Sequence, residues 1–345
     1  MTLNTVSCSL GVTDLLAESR LWMEPAMRSA VARLHDGPRT ISGFAFGWPE
    51  QEGPTGAGKG SSGGGKGIRP AIAGLAARAA GGKAEDAAPG AVAVEFVHAF
   101  SLIHDDIMDG DETRRHRTTA WKAFGTGPAI LAGDGLLALA LDTLAHATKG
   151  SSITRLTRTL IDLVNGQAMD TAFESRPWAG PDAVTADEYC AMAVAKTGSL
   201  LGCATAVGWL LGGGDEEGAE RMDLIGRHLG LAFQAIDDVL GIWGDPAVTG
   251  KPVHNDLRQG KKTLPVVAAL VNGAPGLALR LAARPSGGRE ARRTADLIES
   301  YGGRLHTEAL AERELNAALS LITALPSPAT ADLELLARYL VTRRS

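Results

Sequence analysis

Apolar residues recur along most of this chain at the three-to-four spacing that marks one face of an α-helix. The clearest case runs from Pro89 to Met108, where Val92, Phe96, Ala99 and Ile103 share a side. The same spacing predicts helices over residues 12–36, 127–148, 152–172, 187–211, 219–243, 263–283, 290–301, 306–324 and 329–343. A further helix opens at Pro70, which suits a first turn, and continues through Ile72, Leu75 and Ala76. Gly37 and Pro38 are read as the stop of the first helix. No run of alternating positions predicts a strand series, and no segment repeats. Residues 46–66 (FGWPEQEGPTGAGKGSSGGGK) are too rich in Gly, Ser and Pro to build a core and are predicted as a flexible surface loop. The expected fold is all-α, one large helical domain over residues 1–345.

Composition sharpens this picture. The chain is 45% hydrophobic but only 5% aromatic, so its core leans on Ala, Leu and Val. Ala and Leu rank high in helix propensity, and few β-branched or aromatic runs compete. A formal charge of −5 argues against general nucleic-acid binding. Cys8, Cys190 and Cys203 have no paired spacing, so neither a zinc site nor a disulfide scaffold is expected, and a reducing cytoplasm fits. The N-terminus has no basic stretch leading into an apolar one, so no signal peptide is read. The longest apolar stretch, Leu200 to Leu211, falls short of the roughly 20 residues a bilayer span needs. It is predicted as a buried helix, with no stable membrane insertion.

The chemistry concentrates in two acidic clusters. HDDIMDGDETRRHR, residues 104–117, follows the apolar Phe100, Leu102 and Ile103. Asp105 and Asp109 share a helix face, while Asp106 is turned by about 100°. FQAIDDVLGIWGD, residues 233–245, places Asp237 and Asp238 after another apolar helix, with Gln234 one turn earlier. Either pair alone reads equally well as an acidic helix end. Together they suit a hard cation, because magnesium bridges one or two carboxylates to substrate phosphates.

Basic residues answer them. Lys66 and Arg69 flank a loop-to-helix junction, where free backbone N–H groups favour a diphosphate. Arg114 and Arg115 follow the first cluster. Lys196 and Thr197 stand in a run otherwise made of Ala, Val, Gly and Leu, and a lysine in such company needs a partner. Lys251 sits in a turn, and Lys261 and Lys262 precede an apolar helix. His98 lies two turns before Asp105, where a core histidine and a phosphate donor are both possible readings. GPTGAGKG, residues 53–60, nearly matches a nucleotide-binding phosphate loop. Gly60 replaces its Ser/Thr and no strand precedes it, so the match is read as coincidence.

The ordered set GGGKGIRP, VHAFSLIHDDIMDGDETRRHR, GQAMD, AKTGSL, FQAIDDVLGIWGDPAVTGKP and DLRQGKKTLP resembles the trans-isoprenyl diphosphate synthase family over about residues 20–343. The resemblance implies an isoprenoid-synthase helical bundle with a central substrate cavity, usually a homodimer. It implies condensation of isopentenyl diphosphate with an allylic diphosphate, aided by magnesium ions, about three of them. Lys66, Arg69, His98 and Arg115 match positions that hold isopentenyl diphosphate. Asp105, Asp109 and Asp237 match metal ligands, with Asp106 supporting them and Asp170 nearby. Arg114, Lys196, Lys251 and Lys262 match residues gripping the allylic diphosphate. Thr197, Gln167 and Gln234 match polar groups beside the reacting carbons. One position departs: the second motif often ends in Asp, and here Gly241 stands there. A bacterial branch of the family has the same wording.

Residues below the first cluster set product length in the family. Phe100, five before Asp105, goes with a twenty-carbon product, geranylgeranyl diphosphate, with farnesyl diphosphate as the shorter choice. Ser101 leaves room that a second aromatic would close, and Val97 is of medium size a turn further down. Two rivals share parts of the pattern. A class I terpene cyclase needs no second diphosphate site, which Lys66, Arg69 and His98 argue against. A non-catalytic partner subunit would tend to lose aspartates, and only Gly241 points that way.

Overall fold

The computed structural model describes residues 11–49, 67–114, 117–147, 150–245, 253–285, 287–327 and 329–342. Lys66, Arg115, Lys251 and most of the Gly-rich segment lie outside these residues.

The chain begins with α1 (Val12–Val31), α2 (Asp36–Phe46) and α3 (Ile68–Ala79). A short 3₁₀ turn, Ala84–Ala87, leads into α4 (Ala88–Asp109). Strands β1 (Thr113–Arg114) and β2 (Arg117–Thr118) pair antiparallel, Thr113 opposite Thr118, before α5 (Ala120–Phe124), α6 (Thr126–Ala147) and α7 (Ser151–Ser175). Then α8 (Ala186–Ala193) passes through a π-helical turn, Val194–Gly198, into α9 (Ser199–Leu211) and α10 (Glu216–Trp243). The remainder comprises α11 (Asn255–Gln259), α12 (Leu264–Val271), α13 (Leu277–Ala282), α14 (Gly288–Ser300), α15 (Gly303–Thr323) and α16 (Thr330–Thr342).

The core centres on α4, whose Val92, Phe96 and Val97 are fully buried. Small residues let the central helices touch backbone to backbone: a Cβ on Gly226 of α10 would lie 2.5 Å from the Cα of Gly202 on α9. This is how a chain poor in aromatics still packs densely. A satellite cluster of Ile242, Leu257, Val266, Leu277, Leu281 and Ile298 gathers around the end of α10.

Four expectations are corrected. Pro38 does not stop a helix; it occupies the first turn of α2, where a proline is tolerated, and Gly47 (φ 74) ends that helix instead. The span 263–283 is two helices, because Gly273 (φ 78), Pro275 and Gly276 (φ 66) break it. A small β-ribbon follows the first acidic cluster where no strand was predicted. Finally, three helical stretches, Ala84–Asp109, Thr126–Ala147 and Ala186–Leu211, are long and apolar enough to cross a membrane by length and composition. The first and third are mostly buried inside the protein, at 61% and 67%, whereas the α6 stretch is only 39% buried.

Candidate active site

The last turns of α4 present chemistry on two sides. Asp105 and Asp109 share one side. Burial pushes the Asp105 carboxyl up, Lys196 pulls it back, and Asp109 and Asp170 add to the rise. From α7, Asp170 accepts a hydrogen bond from Lys196 Nζ at 2.6 Å. From the far direction, Lys261 Nζ stands 3.7 Å from Asp109 Oδ2. Burial alone would lower the Lys261 pKa, but the charges of Asp256, Asp109, Asp170 and Asp111 raise it. Gln259 also reaches Asp111, 3.4 Å away. Acidic groups from α4, α7 and α11 thus surround Lys196 and Lys261.

Lys196 and Thr197 lie in the π turn, where the extra residue per turn re-aims side chains. The turn fits against α7 only because residue 166 is glycine: a Cβ there would lie 2.4 Å from the Lys196 nitrogen. Gln167 lies next along α7, half-buried and one turn before Asp170. Thr197 donates to Gln234 Oε1 (3.0 Å), and Gln234 Nε2 donates to Asp238 Oδ1 (3.1 Å). Asp238 is fully enclosed; it also accepts from the Tyr189 hydroxyl and from the Leu264 N–H (2.8 Å) that opens α12. Burial pushes its carboxyl up to about 7, while those donors pull the other way. Asp238 is therefore an anchor joining three elements. Asp237, its half-buried neighbour, is the motif carboxylate on the more open side.

A neighbouring side of α4 faces a cavity. Glu95, His98, Leu102 and Asp106 line it from α4, with Phe44, Arg114 and Arg117 opposite. Asp106, expected to support the metal ligands, accepts from Arg114 Nε at 2.6 Å instead. The roughly 100° turn from Asp105 takes it off the side shared by Asp105 and Asp109. Burial raises its carboxyl to about 6 against the pull of Arg114. Arg69 is the second residue of α3.

Lys262 takes partners different from those of Lys261. Its ammonium lies 4.1 Å from the centre of the Trp178 ring and donates to the Glu174 carbonyl at 3.4 Å. Neighbouring residues in an extended stretch point opposite ways, so Lys261 takes the acidic side. Below Asp105, Val97 is buried in the core and Ser101 Oγ donates to the His98 carbonyl at 2.9 Å. Phe100 meets His104 edge-on at 4.8 Å.

Sequence reasoning missed Arg117, Tyr189 and the π turn. Arg117 donates to the Phe44 carbonyl (2.8 Å) while stacked over that ring, and its only signal was the extra base in RRHR. Tyr189 left none, since its partner is 49 residues away.

The donors on the Asp105–Asp109 side are carboxylate oxygens, the set a hard divalent ion prefers. Among the described residues, no three carboxylate, imidazole or thiol groups close on one point. An ion there would need further oxygens from elsewhere, such as a phosphate or water.

Comparison with known proteins agrees with this geometry. The family model for polyprenyl synthetase matches residues 58–296. A (2E,6E)-farnesyl diphosphate synthase of Mycobacterium tuberculosis is 40% identical over 335 residues, covering 93% of this chain and 90% of that protein. A geranylgeranyl diphosphate synthase of the same organism is also 40% identical, over 329 residues, covering 93% and 91%. The crystal structure of a polyprenyl synthetase from Streptomyces coelicolor superposes with a TM-score of 0.88 at 43% identity, covering 96% of this chain and all of that one. The chain belongs to the polyprenyl synthetase family and is a trans-prenyltransferase.

Proposed function

We propose that this enzyme condenses isopentenyl diphosphate with an allylic diphosphate, using magnesium, and stops at geranylgeranyl diphosphate. The observation that carries the reading is the two-sided end of α4. Asp105 and Asp109 look toward Asp170, Lys196 and Lys261. Asp106 and His98 look into a separate cavity with Arg114 and Arg117. Two diphosphates would then flank one helix.

Magnesium, held by Asp105, Asp109 and Asp237, would offset charge on the allylic diphosphate and improve it as a leaving group. Lys196 and Lys261 add fixed positive charge where the departing oxygen becomes negative. The allylic C–O bond breaks, and the electron pair leaves with the diphosphate. The double bond of isopentenyl diphosphate, held from the His98 and Arg69 side, attacks the cation. The new C–C bond forms, and a proton passes to the released diphosphate. Thr197 and Gln234, already bonded to each other, present a polar edge beside the cation. Exclusion of water protects it.

We also propose a cytoplasmic homodimer. Cys190 and Cys203 are free thiols, which suits a reducing compartment. On α6, Leu131 is 61% exposed and Ile130 40%; a second copy covering this apolar face is the reading favoured over lipid, and sedimentation would measure it.

The test is product analysis with purified protein, magnesium, isopentenyl diphosphate and each allylic starter. A twenty-carbon diphosphate is expected. Hydrocarbon from an allylic diphosphate alone would indicate a cyclase, and no product would indicate a partner subunit.

A further inference from the structure

Lys196 and Thr197 sit in a groove between two helices, and one arginine ties the walls of that groove together. On α7, Asp162, Gly166 and Asp170 are each four apart and form one stripe. Gly166 lies against the Lys196 backbone, and Asp170 accepts from the Lys196 ammonium at 2.6 Å. On α10, Asp223, Arg227, Gly230 and Gln234 follow at spacings of four, three and four, so they too share a face. A Cβ on Gly198, the last residue of the π turn, would lie 3.1 Å from the Arg227 carbonyl oxygen, and one on Gly230 would collide with the Gly198 Cα. Gln234 accepts from Thr197. The π turn is therefore held by α7 on one side and α10 on the other.

Arg227 bridges those two helices. Its Nε donates to Asp223 Oδ2 on its own helix at 2.7 Å, and its Nη2 donates to Asp162 Oδ2 of α7 at 2.9 Å. All three side chains are partly buried. Asp223 holds one edge of the rigid guanidinium fork, so the other edge is aimed at α7 in advance. Asp162 stands one turn before Gly166, about 6 Å along the axis. A second arginine joins the same helices further off: Arg155 Nη2 of α7 donates to Glu216 Oε2 (2.8 Å) and Glu220 Oε1 (2.9 Å) of α10. It stands eleven positions before Gly166, about 16 Å along the axis. Of these two ties, only the Arg227 bridge lies at the height of the π turn. A π turn is an irregular insertion in an α-helix, so the neighbours that press on it set where its side chains point.

We propose that Arg227 is a positioning residue for prenyl transfer. By joining Asp162 of α7 to Asp223 of α10, it fixes the width of the groove around the π turn, and so the place of the Lys196 ammonium. This rests on the role given to Lys196 above.

Steady-state kinetics, read well below the melting transition of each variant, test it. Arg227→Met keeps the length of the side chain and removes its donors. Its kcat is expected to fall roughly 10-fold, part of the roughly 10²-fold that a 1 Å misplacement can cost. KM for both diphosphates is expected to change less than about twofold, the pattern of an interaction made in the transition state. Arg227→Lys can engage only one carboxylate well and is expected to fall between wild type and Arg227→Met. Arg155→Met is expected to lower the melting temperature as Arg227→Met does, yet leave kcat within about twofold of wild type, because its tie is remote from the π turn. Added to Lys196→Ala, Arg227→Met is expected to cost less than about twofold more in kcat, because the group it positions is gone. A wild-type kcat in Arg227→Met, an equal kcat loss in Arg155→Met, or an undiminished further loss in the double variant would overturn the proposal. A near-wild-type rate in Lys196→Ala alone would instead strike the role of Lys196, and this proposal with it.

Discussion

Lys196, held on a π turn, donates to Asp170 on α7 across 2.6 Å. An ammonium in this position sits beside Asp105 as well, so it stands where charge develops as a diphosphate leaves. Lys196→Ala is expected to lower turnover by about 10²–10³-fold, the range for removing one preorganised charge-stabilising donor. Steady-state kinetics, with circular dichroism to verify the fold, would measure this. A rate near wild type would separate Lys196 from the chemistry.

The same turn depends on Gly166. A Cβ there would fall 2.4 Å from the Lys196 nitrogen and 2.8 Å from its Cα. These are backbone atoms and cannot swing aside. Gly166→Ala is expected to destabilise the protein by about 1–3 kcal/mol through overpacking and to reduce turnover by shifting Lys196. Denaturant unfolding that matches wild type would show that the helices separate freely.

These two positions illustrate what was legible in the sequence. The helix pattern and the identity of Lys196 were readable from local spacing, because periodicity and composition are local properties. The π turn was not, since it depends on how closely α7 and α10 approach the segment. Gly166 and Gly198 were present in the sequence, but their meaning comes from contact across helices. The different surroundings of Lys261 and Lys262 were not legible for a related reason. Adjacent residues in a short extended stretch differ only in direction, and direction was set by Trp178 and Asp109. Asp106 shows the opposite case: its rotation away from Asp105 was readable, and only its partnership with Arg114 was missed.

Tyr189 and Asp238 form a buried pair linking α8 to the second motif. Asp238 also accepts from Gln234 and from the first N–H of α12, so it orients both. Tyr189→Phe removes one donor and leaves the carboxylate partly unsatisfied in a dry site. A loss of about 1–3 kcal/mol is expected, read as a lower denaturant midpoint with unchanged slope. An unchanged midpoint would mean that water replaces the hydroxyl.

Acid stability should report on a second anchor. Glu188 receives two bonds from Arg176 (2.7 and 3.2 Å) and one from the Thr185 amide (2.9 Å). The Arg176 bond, then the Thr185 N–H, holds its carboxyl down at about 2, against an ordinary 4.5. A depressed carboxylate stabilises the fold fully above its unfolded pKa and loses that contribution as pH falls through the folded one. The contribution therefore disappears between about pH 4.5 and 2. Glu188→Gln should flatten the stability curve across that window and leave its shape unchanged near neutrality. An identical acid limb in the variant would show that the pair adds nothing.

Product length should respond to Ser101 more directly than to Phe100. Ser101 is one helical turn before Asp105, on the same side of α4, and its small hydroxyl is tied back to the His98 carbonyl. Phe100 leans away, edge-on to His104. That histidine packs against α6 where Gly133 leaves space, since a Cβ there would lie 2.3 Å from His104 Nε2. An isoprene unit needs about 4–5 Å of depth, roughly three residues of helix at 1.5 Å rise. An aromatic ring at 101 would remove about that depth directly beneath the first aspartate cluster. If the product is the twenty-carbon diphosphate proposed above, Ser101→Phe is expected to shift it toward fifteen carbons. Chromatography of the dephosphorylated products would show the shift, and a distribution identical to wild type would place the floor of the tunnel away from α4.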